Sequence, residues 1–169
     1  MDLHDYFIRM SFGDENAFID LYNELKKPVY TIAYRIVQSK EVAEDITQDV
    51  FVKIFVSPPN PTVKNLRAWV FQITHNLSID HLRKQHNESI DDLQVVSDNE
   101  TDYILQRIDI EQAMSRLSNQ EREIVSLHLN AGLQFHEISK IVKLSMSSTY
   151  RKYRKALKIL REEMDGDAL

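Results

Sequence analysis

The chain has 169 residues, with 21 Lys and Arg against 26 Asp and Glu, a formal net charge of -5, three Gly and no Cys. Without cysteine it builds neither disulfides nor thiolate metal sites, which suits a reducing cytoplasm. No apolar run is long enough to cross a bilayer, and scarce glycine with helical apolar spacing nearly throughout predicts an all-α protein without strand pairs.

Residues 1–10 mix Asp2, Asp5 and Arg9 with apolar side chains and so lack the apolar core of a signal peptide. Ser11 and Asp14 then frame a capping-box-like start, and Phe18, Leu21, Tyr22 and Leu25 continue it as an amphipathic helix. Proline is tolerated in a first turn and disruptive deeper in, so Pro28 is expected to open a second helix through Tyr30, Ala33, Tyr34 and Val37. A third helix follows Ser39. Its apolar stripe is Val42, Ile46, Val50, Phe51, Ile54 and Phe55, which leaves Glu44, Asp45, Gln48, Asp49 and Lys53 on the other face. Pro58, Pro59 and Pro61 stop it.

A fourth helix is predicted from about residue 63 to residue 84. Leu66, Trp69, Val70, Ile73, Leu77 and Leu82 form its buried stripe, with Trp69 read as core rather than as a stacking platform. Arg67, Gln72, His75, Asn76, Asp80, His81, Arg83 and Lys84 provide an exposed face of amides, cations and imidazoles. Such groups can meet base edges and phosphates, or simply water. From residue 86 to residue 102 acids dominate and apolar periodicity lapses, which predicts a linker between two small helical domains at residues 1–85 and 103–169.

In the second domain Ser118 and Glu121 form a capping box. Ile138 to Arg161 carries no acid but holds Lys140, Lys143, Arg151, Lys152, Arg154, Lys155, Lys158 and Arg161. Two apolar stripes run through it: Phe135, Ile138, Ile141 and Val142, then Thr149, Tyr153, Ala156, Leu157 and Leu160. They predict two short helices around a tight corner, the second capped by Ser145 or Ser147. This is a helix-turn-helix pattern, in which the second helix enters the major groove; a solvated basic face is the bland reading of the same charges. His136 and Glu137 begin like a zinc-protease motif, but Lys140 stands where a second histidine is needed, so no metal site, cofactor or catalytic group is expected.

Four segments of the first domain resemble region 2 of bacterial RNA polymerase sigma factors of the extracytoplasmic-function type: Ala43 to Phe51, Leu66 to Val70, Ile73 to Asn76 and Asp80 to Lys84. Leu117, Glu121, Arg122, Val125, Leu127, Gly132, Glu137, Ile138, Ser139, Leu144, Ser145, Ala156 and Leu160 resemble region 4 of that family. The resemblance implies a non-enzymatic subunit that binds core RNA polymerase and directs promoter recognition and transcription initiation. Asp45, Gln48, Asp49 and Lys53 would face core polymerase. Asn65, Arg67, Gln72, Asn76, Asp80 and Arg83 would hold the melted non-template strand of the minus-ten element, with one base captured outside the stack. Ser147, Ser148, Tyr150, Arg151, Arg154 and Lys155 would read the minus-thirty-five element as duplex. An anti-sigma partner and a cytoplasmic location are expected with it. Ser147, Ser148 and Thr149 depart from the common Gly-Thr-Val run, and Lys143 replaces the usual corner glycine, so it must turn left-handed at some cost or reshape the corner. The alternative function is a repressor or activator that uses the helix-turn-helix without polymerase.

Overall fold

A computed structural model describes residues 3–60, 63–88 and 105–166. The described residues form eight α-helices and no strand: α1 (Leu3–Ser11), α2 (Glu15–Val37), α3 (Lys40–Val56), α4 (Leu66–Glu88), α5 (Leu105–Ser115), α6 (Asn119–Leu129), α7 (Phe135–Ile141) and α8 (Met146–Gly166). The all-α prediction holds. Most of the predicted linker, residues 89–102, lies outside the described residues.

The first surprise lies at the N-terminus, where Leu3 and Tyr6 are buried on a helix that the sequence reading left blank. Ser11 ends that helix, donating from its hydroxyl to the carbonyl of Ile8 at 2.7 Å. Asp14 alone caps α2, accepting from Asn16 N–H at 3.0 Å, so the expected Ser11–Asp14 box does not form. The Arg9 guanidinium, hydrogen-bonded to Asp14 at 2.8 Å, holds that carboxyl below its usual range.

Pro28 does not divide α2, which continues through it to Val37. A proline forfeits one ladder hydrogen bond and crowds the preceding turn. Leu21, Leu25, Val29, Ile32, Ala33 and Ile36 bury one continuous stripe on both sides of it, and each larger side chain contributes about 1.5–3 kcal/mol on full burial. That stripe outweighs the break. The chain leaves α2 at Gln38, whose positive φ of 57° ends the helix, and Ser39 caps α3 by accepting from Val42 N–H at 3.4 Å.

α1, α3 and α4 pack around α2. Helix α6 also leans on α2, and α7 on α4, so the core does not stop at the first four helices. Ile124, Leu127, Ala131, Leu133, Ile138, Ile141 and Val142 belong to one contiguous apolar cluster with Val29, Ile32, Ile36 and Phe71. A smaller cluster of Met114, Leu117, Val125 and Ala156 joins α5, α6 and α8.

The corner between α7 and α8 resolves the question raised by Lys143. Its φ is 55°, in the left-handed region, and Leu144 N–H donates to the carbonyl of Ser139 at 3.0 Å. A left-handed residue after the helix with that reverse bond is a Schellman ending, usually built with glycine. Lys143 adopts it at a cost of about 1–2 kcal/mol. Ser145 then caps α8, its hydroxyl accepting from Ser148 N–H at 3.2 Å.

Candidate nucleic-acid interface

Three surfaces gather the residues singled out in the sequence. On α3, the exposed face presents Asp45, Gln48, Asp49 and Lys53 in successive turns. Val52, Phe55 and Val56 continue that face to the end of the helix, and all three are exposed. This corrects the predicted stripe, because Phe55 is 64% exposed, with an edge contact to Phe18 at 5.2 Å. The face is thus acidic and polar at its start and apolar at its end. The spacing 45, 48–49, 52 and 55–56 is one helical stripe, and could have been found by asking which apolar residues fall in line with the acids.

On α4, several of the polar side chains already have partners within the protein. Asn65 caps the helix, its Oδ1 accepting from Ala68 N–H at 2.9 Å, while its Nδ2 donates to the carboxylate of Glu137 on α7. Arg67 donates to the carbonyl of Ala131 at 3.3 Å and to Glu24 at 3.0 Å. The Gln72 amide donates to Asn76 at 3.0 Å, and Arg83 sits 3.8 Å from Asp80 in an exposed pair. Trp69 is half-buried and packs edge-on against Phe7 at 6.1 Å, in line with its expected core role.

His75 overturns an expectation. It is only 8% exposed, not part of a solvent face, and its Nδ1 is hydrogen-bonded to the carboxylate of Glu123, itself 7% exposed, on α6. Periodicity assigned it to the polar side of α4, but that side is covered by the C-terminal helices, which no single-helix pattern reveals. A cavity of about 250 Å³ opens beside the start of α4, lined by Leu3, His4, Glu24, Lys64, Asn65 and Arg67. It brings two of the candidate strand-binding residues together with the unforeseen helix α1.

On α8, Ser147, Tyr150, Arg151, Arg154 and Lys155 are exposed and Ser148 is half-buried. Tyr150 is fixed edge-on against Phe135 at 5.2 Å, and Phe135 stacks on His128 at 4.6 Å, so an aromatic column supports the outer surface of this helix. The Tyr150 hydroxyl accepts from Arg154 at 3.4 Å. Lys155 reaches back to the buried carboxylate of Glu121 at 2.9 Å. Burial alone would raise the pKa of Glu121, but hydrogen bonds from Lys155 and from Ser118 prevail and hold it below the ordinary glutamate range. The same carboxylate closes the expected capping box with Ser118 N–H at 3.0 Å. Arg122, next to it, is buried and donates to the carbonyls of Met114 and Leu117, both at 3.1 Å, anchoring α6 to the end of α5.

No helix among the described residues is long and apolar enough to cross a membrane. Among the same residues no cluster of three or more ligating side chains could hold a metal ion.

Residues 21–88, which include α3 and α4, match the family model for sigma-70 region 2. The chain is 22% identical to the ECF RNA polymerase sigma factor SigW of Bacillus subtilis, covering 90% of this chain and 91% of that protein. It is likewise 22% identical to the ECF sigma factor SigK of Mycobacterium bovis, covering 97% of this chain and 94% of that protein. In fold it is similar to the sigma factor RpoE crystallised with the anti-sigma factor NepR from Bartonella quintana, at a TM-score of 0.71 and 23% identity, over 86% of this chain and 97% of that one. CnrH in complex with the cytosolic domain of CnrY is similar at a TM-score of 0.69 and 19% identity, over 99% of this chain and 100% of that one.

Proposed function

We propose, from the premise that this chain is a sigma factor of the extracytoplasmic-function type, that it binds core RNA polymerase and directs it to promoters. The observation that carries this reading is the presence, in one chain, of a sigma-70 region 2 and of a capped, acid-free basic helix after a tight corner. The first half supplies a surface for polymerase and for an opened strand, the second a surface for duplex. Residues 1–85 and 103–169 are the two functional units, and the work of the protein is in the cytoplasm, beside the polymerase.

Each surface has a role that its chemistry fits. Asp45, Gln48, Asp49 and Lys53 meet a basic surface of the polymerase, with long-range attraction speeding encounter. Asn65, Arg67, Gln72, Asn76, Asp80 and Arg83 hold the non-template strand of the minus-ten element. Extracting a base costs a few kcal/mol, which contacts to its edge must offset, and the cavity beside Asn65 and Arg67 is the site for that base. Ser147, Ser148, Tyr150, Arg151, Arg154 and Lys155 read the minus-thirty-five duplex from the major groove. An anti-sigma protein is a further partner, as RpoE has in NepR. Nothing in this scheme requires a cofactor or a catalytic group.

In vitro transcription with core polymerase on a promoter library tests the reading. Specific transcripts that require the protein are expected; tight specific duplex binding by the protein alone, as a dimer on two half-sites, would instead establish a repressor. Arg67→Ala and Asn76→Ala should lower promoter opening more than initial duplex binding, measured by permanganate reactivity of unpaired thymines.

A further inference from the structure

The exposed side of the first three turns of α8 divides into two rows, because residues four apart on a helix stand one above the other. Ser147, Arg151 and Lys155 form one row and Met146, Tyr150 and Arg154 the next, while Thr149 and Ala156 are buried on the opposite side. Hydroxyls and cations suit a helix that meets a polyanion. Met146 and Tyr150 do not fit that account. They are 59% and 46% exposed, they are neighbours, and they stand at the end of the helix that contacts base edges in a helix-turn-helix.

Single exposed apolar residues are ordinary on a protein surface, but one member of this pair is held in place. The Tyr150 ring packs edge-on against Phe135 at 5.2 Å, Phe135 stacks on His128 at 4.6 Å, and His128 Nδ1 donates to the carbonyl of Leu133 at 2.8 Å. The Tyr150 hydroxyl accepts from Arg154 at 3.4 Å, so its polar tip has a partner on the same helix and the ring offers mainly carbon. A ring fixed before binding loses little freedom on contact. Met146, unbranched and exposed, can adapt its shape to what the ring leaves open.

The base edges of the major groove carry hydrogen-bond donors and acceptors and one apolar group, the C5-methyl of thymine. We propose that Met146 and Tyr150 form an apolar lip that reads thymine methyl groups in the upstream duplex element, while Arg151 and Arg154 beside them take polar base edges or phosphates. The lip rests on the reading of α8 as the major-groove helix, and it adds the chemistry by which this chain selects its sequence there. An A·T pair at one or two positions of that element follows, with its methyl toward the lip.

Replacing thymine by uracil deletes the methyl and leaves base pairing intact. A promoter recovered from the library with holoenzyme is resynthesised with uracil at each thymine of its upstream element in turn, on either strand, and holoenzyme binding is measured. At one or two positions the wild type should lose about fourfold, the value for burying one methyl-sized group, about 0.8 kcal/mol at about 1.4 kcal/mol per tenfold. Met146→Ala or Tyr150→Ala should bring the thymine-to-uracil ratio at such a position close to one, and Met146→Leu should regain it. A change in DNA shape on loss of the methyl weakens all variants alike, so the change in ratio isolates the contact.

An upstream element without thymine would overturn the lip, as would uracil tolerated at every position by the wild type, or an undiminished ratio in both alanine variants. If Met146→Ala weakened assembly with core polymerase and left the ratio intact, the pair would be a protein contact instead. In each of these cases, sequence-selective binding by holoenzyme leaves the proposed function standing. Absence of any sequence-selective binding would sink both. The wild-type uracil scan depends on no variant, and melting temperatures establish that the variants are folded.

Discussion

The basic surfaces of α4 and α8 carry similar residue types and are used in opposite ways by the fold. On α4, Asn65, Arg67 and His75 turn inward to groups of the C-terminal helices, and His75 is buried in doing so. On α8, Ser147, Tyr150, Arg151 and Arg154 stay on the outside, while Lys155 is tied back to Glu121. A duplex can approach α8 as it stands. On α4, by contrast, Asn65, Arg67 and His75 are already engaged by groups of the C-terminal helices, so the two faces differ in how much of their polar chemistry is open to solvent.

The largest expected effect comes from the core the two surfaces share. Leu127 is fully buried in the cluster that joins α6 and α7 to α2 and α4. Leu127→Ala should cost about 2–5 kcal/mol. Urea unfolding followed by probes in each half should give one shared transition that moves as a whole. If only the C-terminal half loses stability, the two regions are less coupled than their packing implies.

Next in size is the division of labour along α8. Arg151→Ala should cost about 1–3 kcal/mol on the preferred duplex and flatten discrimination at one or two base pairs. Lys158 stands about two turns further along and 3.7 Å from Glu162, and if Arg151 reads base edges as proposed, Lys158→Ala should weaken all sequences alike. Holoenzyme binding to a set of promoter variants separates these outcomes, and an exchange of the two phenotypes would mean a different docking of the helix.

The third concerns α3, the surface that neither unit covers. Reversing charge at Asp45 and Asp49 should weaken binding to core polymerase while helical content is unchanged, and undiminished capture of core enzyme by a folded variant would remove these residues from the interface. Phe55→Ser tests the apolar continuation of the face in the same assay. It should weaken capture with little loss of stability, because Phe55 is mostly exposed.

The smallest effect is a pH dependence at the base of α8. Glu121 has its pKa lowered in the folded protein, so its hydrogen bonds to Lys155 and Ser118 add stability above the ordinary glutamate pKa, and this is lost as pH falls through the lower folded value. Glu121→Gln should therefore flatten the acid limb of the protein's stability curve. Thermal melts across the acidic range would show it, and a mutant whose melting temperature falls with acid as steeply as the parent's would exclude Glu121 as the group responsible.

The sequence was most legible where one helix decides its own fate. The Ser118–Glu121 box and a serine cap at the start of α8 follow from local chemistry and stand in the fold, and Lys143 takes the left-handed course, one of the two that its local chemistry allowed. It was least legible where a second layer overrides the first. The helical continuity of α2 across Pro28 depends on burial along its whole length, and the burial of His75 depends on Glu123, distant in sequence. Phe55 was misplaced for the converse reason: its stripe is apolar enough for a core, but it stays 64% exposed beside Phe18. The exposed candidates on α3 and α8 needed no tertiary information, whereas the condition of those on α4 could be read only from the assembled molecule.

The chemistry of the α4 contact also bears on how DNA binding responds to ions. Ordinarily each cation that meets a phosphate releases condensed counterions from the nucleic acid, which steepens the dependence on salt. Here Glu123, Glu137 and Glu111 already stand before His75, Asn65 and Arg35. On the proposed reading of α4, a strand that reaches this face competes with those carboxylates, and any carboxylate it displaces gathers cations from solution. The uptake of these cations offsets part of the release from the DNA. Strand capture by α4 should therefore be less salt-sensitive than its count of basic and polar residues suggests, whereas duplex binding by α8, with no such exchange at Arg151, should keep the full dependence.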